Sequence, residues 1–179
     1  MRGQRQRWRT MTTVDLPAVS AIAAAVHVDY PEDAAVFAER LALYPQGCYV
    51  LAEEDGAGAR IAGYLISHPW TFAQPPALNT MLGALPSPAT TYYIHDIALL
   101  PAARRSGAAA AIVALLIRHA ATIADNISLV AVGGTSPFWA AQGFARRAHP
   151  ALDAKLASYG GDACYMSRAL AGAPLAAPR

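Results

Sequence analysis

Cysteine is nearly absent from this chain. Cys48 and Cys164 are the two among 179 residues, they stand far apart, and neither forms a CxxC pair. That scarcity points away from a disulfide framework and from a thiolate metal site, and makes a reducing, cytoplasmic setting the expectation. Charge is sparse too: charged residues make up 15% against 55% apolar, with a net charge of +2. Neither a disordered chain nor a strongly basic nucleic-acid binder has that balance. Arg2, Arg5, Arg7 and Arg9 crowd the start and read as the solvated entry to a strand. No apolar h-region accompanies them, so no secretory leader is expected. The longest apolar run falls short of the about 20 residues that span a bilayer, which argues against a membrane protein. His27, His68, His95, His119 and His149 show no metal-ligand spacing, so no metal is expected. No G-x-x-x-x-G-K-[ST] loop and no G-x-S-x-G elbow occur.

What is present reads as one domain over 1–179, without repeat or linker. Gln6 to Thr12 alternates as a strand. Thr13 or Asp15 caps a helix with Pro17 in its first turn, carrying Leu16, Val19, Ile22, Ala23 and Val26 on one stripe. His27 to Asp33 interrupts it, and a second helix runs from about Ala34 to Tyr44. Strands at Cys48 to Glu53 and Ile61 to Trp70 flank a hairpin loop at Glu54 to Gly58. Thr71 to Thr90 is rich in Pro, Ala and Gly, a long loop with room for one helical turn around Leu78 to Leu85; it reads equally as a functional segment and as a surface excursion. Ile127 to Val132 is a strand, Thr135 or Ser136 caps a short helix ending at Gly143, Phe144 begins a strand, and Ala163 to Leu170 is the last one. Residues 171–179 read as a frayed tail.

The chain is organised around Tyr92 to about Ala121. Tyr, Ile and Leu make its first part a strand, and Pro101 ends it. From Gly107 to Ile117 every residue is Gly, Ala, Ile, Val or Leu, so the helix there is apolar on all faces and expected to be buried. Its first turn carries Arg104, Arg105 and Ser106 followed by residues with little side chain. Unpaired N–H groups and the positive dipole end make such a terminus an anion site, and arginines add charge-assisted bonds to phosphate oxygens. The physical reading is a strand, turn and helix that grip a diphosphate.

The stretch Arg104-x-x-Gly107-x-Ala109, after a strand and proline and before an apolar helix, resembles the acyl-CoA-binding motif of the GNAT superfamily of N-acetyltransferases. Ser136-Pro137-Phe138-Trp139-Ala140-Ala141-Gln142-Gly143-Phe144 resembles that family's second signature, an aromatic pair followed by Gly-Phe. The element order matches as well. The resemblance implies an α/β (α+β) fold: a mixed, mostly antiparallel twisted sheet of about six or seven strands, helices on both faces, and a splayed parallel strand pair for the cofactor. It implies acetyl-CoA as co-substrate, with pantetheine pairing along Ile97, Ala98 and Leu99. The diphosphate would sit on Arg104, Arg105, Ser106, Gly107, Ala108, Ala109 and Ala110. Arg105 stands where the family usually has Gly.

The same resemblance assigns a backbone N–H near Ile97 to the tetrahedral oxyanion, a contribution of about 3 kcal/mol for one preorganised donor. Where the family often carries a catalytic Glu, this chain has Tyr93. His95 matches a proposed base of the arylalkylamine N-acetyltransferases. A histidine pKa near 6.5 suits that work; the other reading is a core histidine bonded to backbone. Strand alternation puts Tyr93, His95 and Ile97 on one face, and Asp96 on the other as a structural residue. Trp139 stands where many members have Tyr, and an indole is no proton source at neutral pH, so the donor to the leaving thiolate is unassigned, with Tyr93 or Tyr165 as candidate catalytic substitutes. Tyr30 and Trp139 are candidate acceptor contacts; Asp29, Glu32 and Asp33 are either acceptor charges or helix-start residues. The implied activity is acetyl transfer to the primary amine of a small molecule, with a homodimer allowed and no nucleic acid or membrane partner. The alternatives are a non-catalytic acyl-CoA sensor of the same fold and a protein or peptide N-acetyltransferase.

Overall fold

The structure, a computed structural model, describes residues 5–54 and 59–171. Most of the expected hairpin tip, and all of the expected tail beyond Ala171, lie outside the described residues. Strand β1 (Arg5–Thr10) pairs antiparallel with β2 (Cys48–Glu54), and β2 pairs with β3 (Ala59–Trp70). Between them, Asp15 accepts hydrogen bonds from the Thr12 N–H at 2.8 Å and from the Arg9 guanidinium at 2.7 and 2.8 Å. That knot starts α1 (Leu16–Val26), which is followed by α2 (Ala34–Leu43). Both helices cover one face of the sheet, where Val19, Ile22, Phe37 and Leu41 pack on Val50, Tyr64, Ile66 and Ala98.

Strand β4 (Thr91–Leu99) leads through a short turn to α3 (Ala108–Ala120), and β5 (Asn126–Ala131) follows. The chain then forms α4 (Ser136–Ala141), β6 (Ala145–Arg146), α5 (Leu152–Leu156) and β7 (Cys164–Ala169). Among the described residues the sheet has seven strands in the order β1-β2-β3-β4-β5-β7-β6. Only β4 and β5 run parallel, as the resemblance implied. Helix α3 covers the second face, with Ile112, Val113 and Leu116 against Leu65, Tyr92, Ile94, Ile127 and Leu129. Each such side chain contributes about 1.5–3 kcal/mol by burial, which fixes the helix on this face of the sheet. The helix is not buried all round, however: Ala111, Ala114 and Arg118 face solvent. Alanine tolerates that because it favours helix and exposes little area.

Three local features shape the site. The β4–β5 ladder holds only at Tyr92–Ile94 against Ile127–Leu129, after which the strands part. Opposite, Ile66 pairs with Asp96 and Ser67 with Ile94, so His95 is the extra residue of a β-bulge. The segment 71–90 contains no helical turn, contrary to expectation. Side chains hold it instead: Glu39 on α2 accepts the N–H groups of Leu82 (2.7 Å) and Gly83 (3.0 Å), and buried Arg40 donates to Thr80 O (2.8 Å).

Candidate active site

Where β4 and β5 part, a groove of about 600 Å³ opens. Ile97, Ala98 and Leu99 line one side of it, Arg104 and Ala109 its end, and Gly133, Phe138 and Trp139 the far side. Leu100 gives its N–H to Ala62 O on β3 at 2.8 Å. Alternation along the strand therefore turns the N–H groups of Leu99 and Ile97 away from β3, toward the groove. At the groove's end the first intrahelical bond of α3 is Ala111 N–H to Gly107 O, 3.0 Å. The N–H groups of Ala109 and Ala110 thus have no acceptor within the helix. Ser106 supports the turn itself, donating to Ala103 O (2.9 Å) and accepting from Ala108 N–H (3.3 Å). Trp8 fixes the helix start from β1 by donating to Ala108 O at 2.8 Å. Arg104 donates through Nε to Leu99 O (3.1 Å), which leaves its two terminal amino groups for an anion. Arg105 and Gly107 both hold positive φ, +63° and +83°. The left-handed angle at Arg105 explains why glycine is usual there.

A second, smaller cavity of about 90 Å³ lies on the α1–α2 side of β4. It shares His27, Tyr30, Ile97, Val132, Thr135 and Trp139 with the groove, so the two spaces meet at Ile97. Tyr93, His95, Asp96, Glu32, Leu78 and Tyr159 also line it. Tyr30, from the α1–α2 connection, reaches across to the Gly133 backbone, and burial pushes its phenol up. Trp139 is 5% exposed and stacks edge-on against Phe138 and Phe144, so its indole is both core and cavity wall.

Two imidazole–carboxylate pairs face this cavity. His95 Nε2 lies 2.9 Å from Glu32 Oε1, with the side chains 2% and 6% exposed. His95 is therefore held by a carboxylate rather than by backbone, and its buried Nδ1 has no partner. His27 Nε2 lies 2.7 Å from Asp96 Oδ1, an ion-pair contact off the in-line hydrogen-bond direction. Asp96 also accepts the Tyr64 hydroxyl proton. Burial pulls the His27 pKa down, but Asp96 outweighs it and the net shift is up. Burial likewise pushes Asp96 up, and the contact with His27 brings it below the usual carboxylate range. Two charges stabilise each other here. The bulge is what makes both pairs possible. It breaks the alternation, so Asp96 follows His95 onto the same side of the sheet instead of facing away as expected, and Ile97 packs with the α3-side core rather than sharing a face with Tyr93 and His95.

Tyr93 is 2% exposed, and its hydroxyl lies against that of Tyr159, which donates to Pro76 O at 2.7 Å. Burial first, and Tyr159 second, hold its phenol well above the ordinary value. The sequence reads Glu32 as an acceptor charge or helix-start residue, Asp96 as structural and His27 only as part of the break between helices; their pairing in this cavity is what strand and helix patterns do not reveal. Glu32 and His95 are 63 residues apart, a contact with no local signal. Cys48 and Cys164 are both buried and free, and burial pushes the Cys48 thiol up to about 12. Among the described residues no group of His, Cys, Asp and Glu could hold a metal ion, and no helix is long and apolar enough to cross a membrane.

A splayed parallel pair, an unpaired strand edge beside it and a helix start carrying free N–H groups define an acyl-CoA-dependent transferase fold. The chain matches the Acetyltransferase (GNAT) family over residues 11–149, and it belongs to that family. Members use acetyl-CoA, and the groove suits it. Similar solved structures include a GphF GNAT-like decarboxylase in complex with isobutyryl-CoA, at 15% identity and TM-score 0.68, covering 91% of this chain and 98% of the other. The ribosomal-protein-S18-alanine N-acetyltransferase from Escherichia coli is similar at 19% identity and TM-score 0.61, with 96% and 99% covered. Naa20 of Chaetomium thermophilum, in complex with a bisubstrate analogue, is similar at 19% identity and TM-score 0.63, with 92% and 86% covered. No curated protein sequence matches the chain.

Proposed function

We propose that this chain transfers the acetyl group of acetyl-CoA to the primary amine of a small molecule by direct attack. The observation that carries this reading is the His95–Glu32 pair, buried in a cavity that opens at Ile97 onto the cofactor groove. Acetyl-CoA supplies an electrophilic thioester carbon. Ile97, Ala98 and Leu99 offer pantetheine a strand edge, and the start of α3 with Arg104 and Arg105 offers the diphosphate its donors. The Ile97 N–H faces the junction, where it can stabilise the developing oxyanion. Glu32 holds His95 Nε2, so Nδ1 is the nitrogen left to accept the amine's proton. A cavity of about 90 Å³ suits a small acceptor. Leu78 and the Tyr159–Pro76 bond bring the 71–90 segment over it, which narrows the approach for a polypeptide. The negative charge of Glu32 and Asp96 favours a cationic amine.

The test combines calorimetric titration of acetyl-CoA with a thiol-release assay over a panel of small amines and peptide N-termini. Binding together with turnover of small primary amines is expected. Turnover of peptides alone favours protein or peptide acetylation, and binding without any turnover favours the acyl-CoA sensor. Failure to bind acetyl-CoA overturns all three.

A further inference from the structure

Trp139 leaves the departing thiolate without a phenolic proton donor from α4. The other tyrosines in or behind the cavity wall are committed: Tyr93 leans on Tyr159, Tyr159 donates to Pro76 O, and Tyr64, behind Asp96, donates to it. We propose that His27, at the end of α1 and paired with Asp96, is the proton donor to the thiolate of coenzyme A. The proposal rests on the acetyl-transfer reading.

His27 lines both the groove and the cavity, so it borders the point where the carbon–sulfur bond must break. The ring lies between Asp96, whose Oδ1 is 2.7 Å from Nε2, and the Ile97 backbone at the junction, and Nδ1 is the nitrogen assigned the transferable proton. The groups that face the ring are Asp96 from β4, Glu32 from the α1–α2 connection and, behind Asp96, Tyr64 from β3. Both charged neighbours are acids, and they favour the imidazolium. Tyr30 is the other titratable group shared by the two spaces, and burial makes its phenol a weaker acid than an ordinary one.

The step balances. The amine first gives its ammonium proton to solvent; its nitrogen then bonds to the thioester carbon, and the proton left in surplus passes to His95 Nδ1. The carbon–sulfur bond breaks with its electron pair going to sulfur, which takes the proton from His27 Nδ1 and leaves as the free thiol. His27 ends neutral and His95 ends charged. One proton moved from His95 to His27 through solvent resets both.

Three measurements test this. In the kcat–pH profile, the wild type should lose rate as pH rises through the His27 pKa, because the acid is the charged form. His27→Gln should remove that basic limb and lower kcat by about 10- to 100-fold, at or below the usual lower bound of about 100-fold for general acid catalysis, since a thiolate leaves readily. Asp96→Asn should move the limb to lower pH. In the binary complex, the thiol of bound coenzyme A, followed by thiolate ultraviolet absorbance, should ionise at lower pH beside His27 than in His27→Gln. A limb that persists in His27→Gln overturns the proposal, as does a limb abolished by Tyr30→Phe alone. A thiol titration identical in wild type and His27→Gln also overturns it. Because the last measurement needs no acceptor, a wild type that turns over no amine yet shows the thiol shift would sink the acetyl-transfer reading alone.

Discussion

At the scale of single residues, His95 owes its position to being the extra residue of a bulge. Its ring is nearly inaccessible, yet one nitrogen is paired with Glu32 and the other has no partner. A structural histidine would not need an unpartnered nitrogen in a cavity wall. His95→Gln is therefore expected to lower kcat by about 10²- to 10³-fold while leaving the Kd for acetyl-CoA unchanged. Glu32→Gln should cost less, about tenfold, since the imidazole remains and only its orientation and charge support are lost. Steady-state kinetics with calorimetry checks both, and a His95→Gln rate near wild type removes His95 as base. Arg105 is the second informative residue. A side chain held at φ +63° costs roughly 1–2 kcal/mol. Arg105→Gly should thus stabilise the fold by about 1 kcal/mol in urea melts, and the same change should weaken acetyl-CoA binding by removing a phosphate partner. Equal affinities for the two proteins would mean that Arg105 leaves the diphosphate to the backbone and Arg104.

At the scale of elements, β4 and α3 were legible because their signals are local: β-rich residues, a proline stop, a small-residue helix start. The mixed, mostly antiparallel sheet of about six or seven strands with its parallel pair was legible only through the resemblance. The bulge was not legible, because reading a strand by alternation assumes an unbroken period of two, and one extra residue inverts everything after it. The expectation for Asp96 failed for that reason alone. The pairings of Glu32 and His27 were hidden because their partners come from a distant strand. The long 71–90 segment misled in another way. Its composition allowed a helical turn, but its order comes from side chains of α2. Glu39 binds two of its N–H groups and Arg40 one carbonyl. Glu39→Ala should therefore loosen this cover over the acceptor cavity. The expected result is faster amide exchange across Thr80 to Gly83 and an amine KM raised about tenfold, as about 1–2 kcal/mol of anchoring is lost. The acetyl-CoA affinity should stay as it was, because the groove lies on the other side of Ile97. A raised Kd for acetyl-CoA with an unchanged amine KM would show that the segment serves the cofactor instead.

At the scale of the whole molecule, the buried charges set how stability follows pH. His68 is 1% exposed and donates through Nδ1 to Pro69 O at 2.9 Å. Burial, opposed by that carbonyl, pushes its pKa from 6.5 down to about 3. The unfolded chain therefore takes up a proton that the fold refuses, and stability falls as pH drops from about 6.5 toward 3, by up to about 1.4 kcal/mol per pH unit. His119, lowered by burial, adds a smaller effect of the same sign. Asp96 acts later: its folded pKa lies below 3.8, so its contribution is present above that value and is lost as pH falls through the folded one. His27 runs the opposite way, since its raised pKa adds stability at low pH that fades as pH rises through the folded value. Between about pH 6.5 and 4 the slope is thus dominated by His68. His68→Gln should flatten urea midpoints plotted against pH in that window, whatever it does to their absolute level. A plot parallel to wild type would assign the acid sensitivity to the carboxylates, and with it the conclusion that His68 is protonated inside the fold.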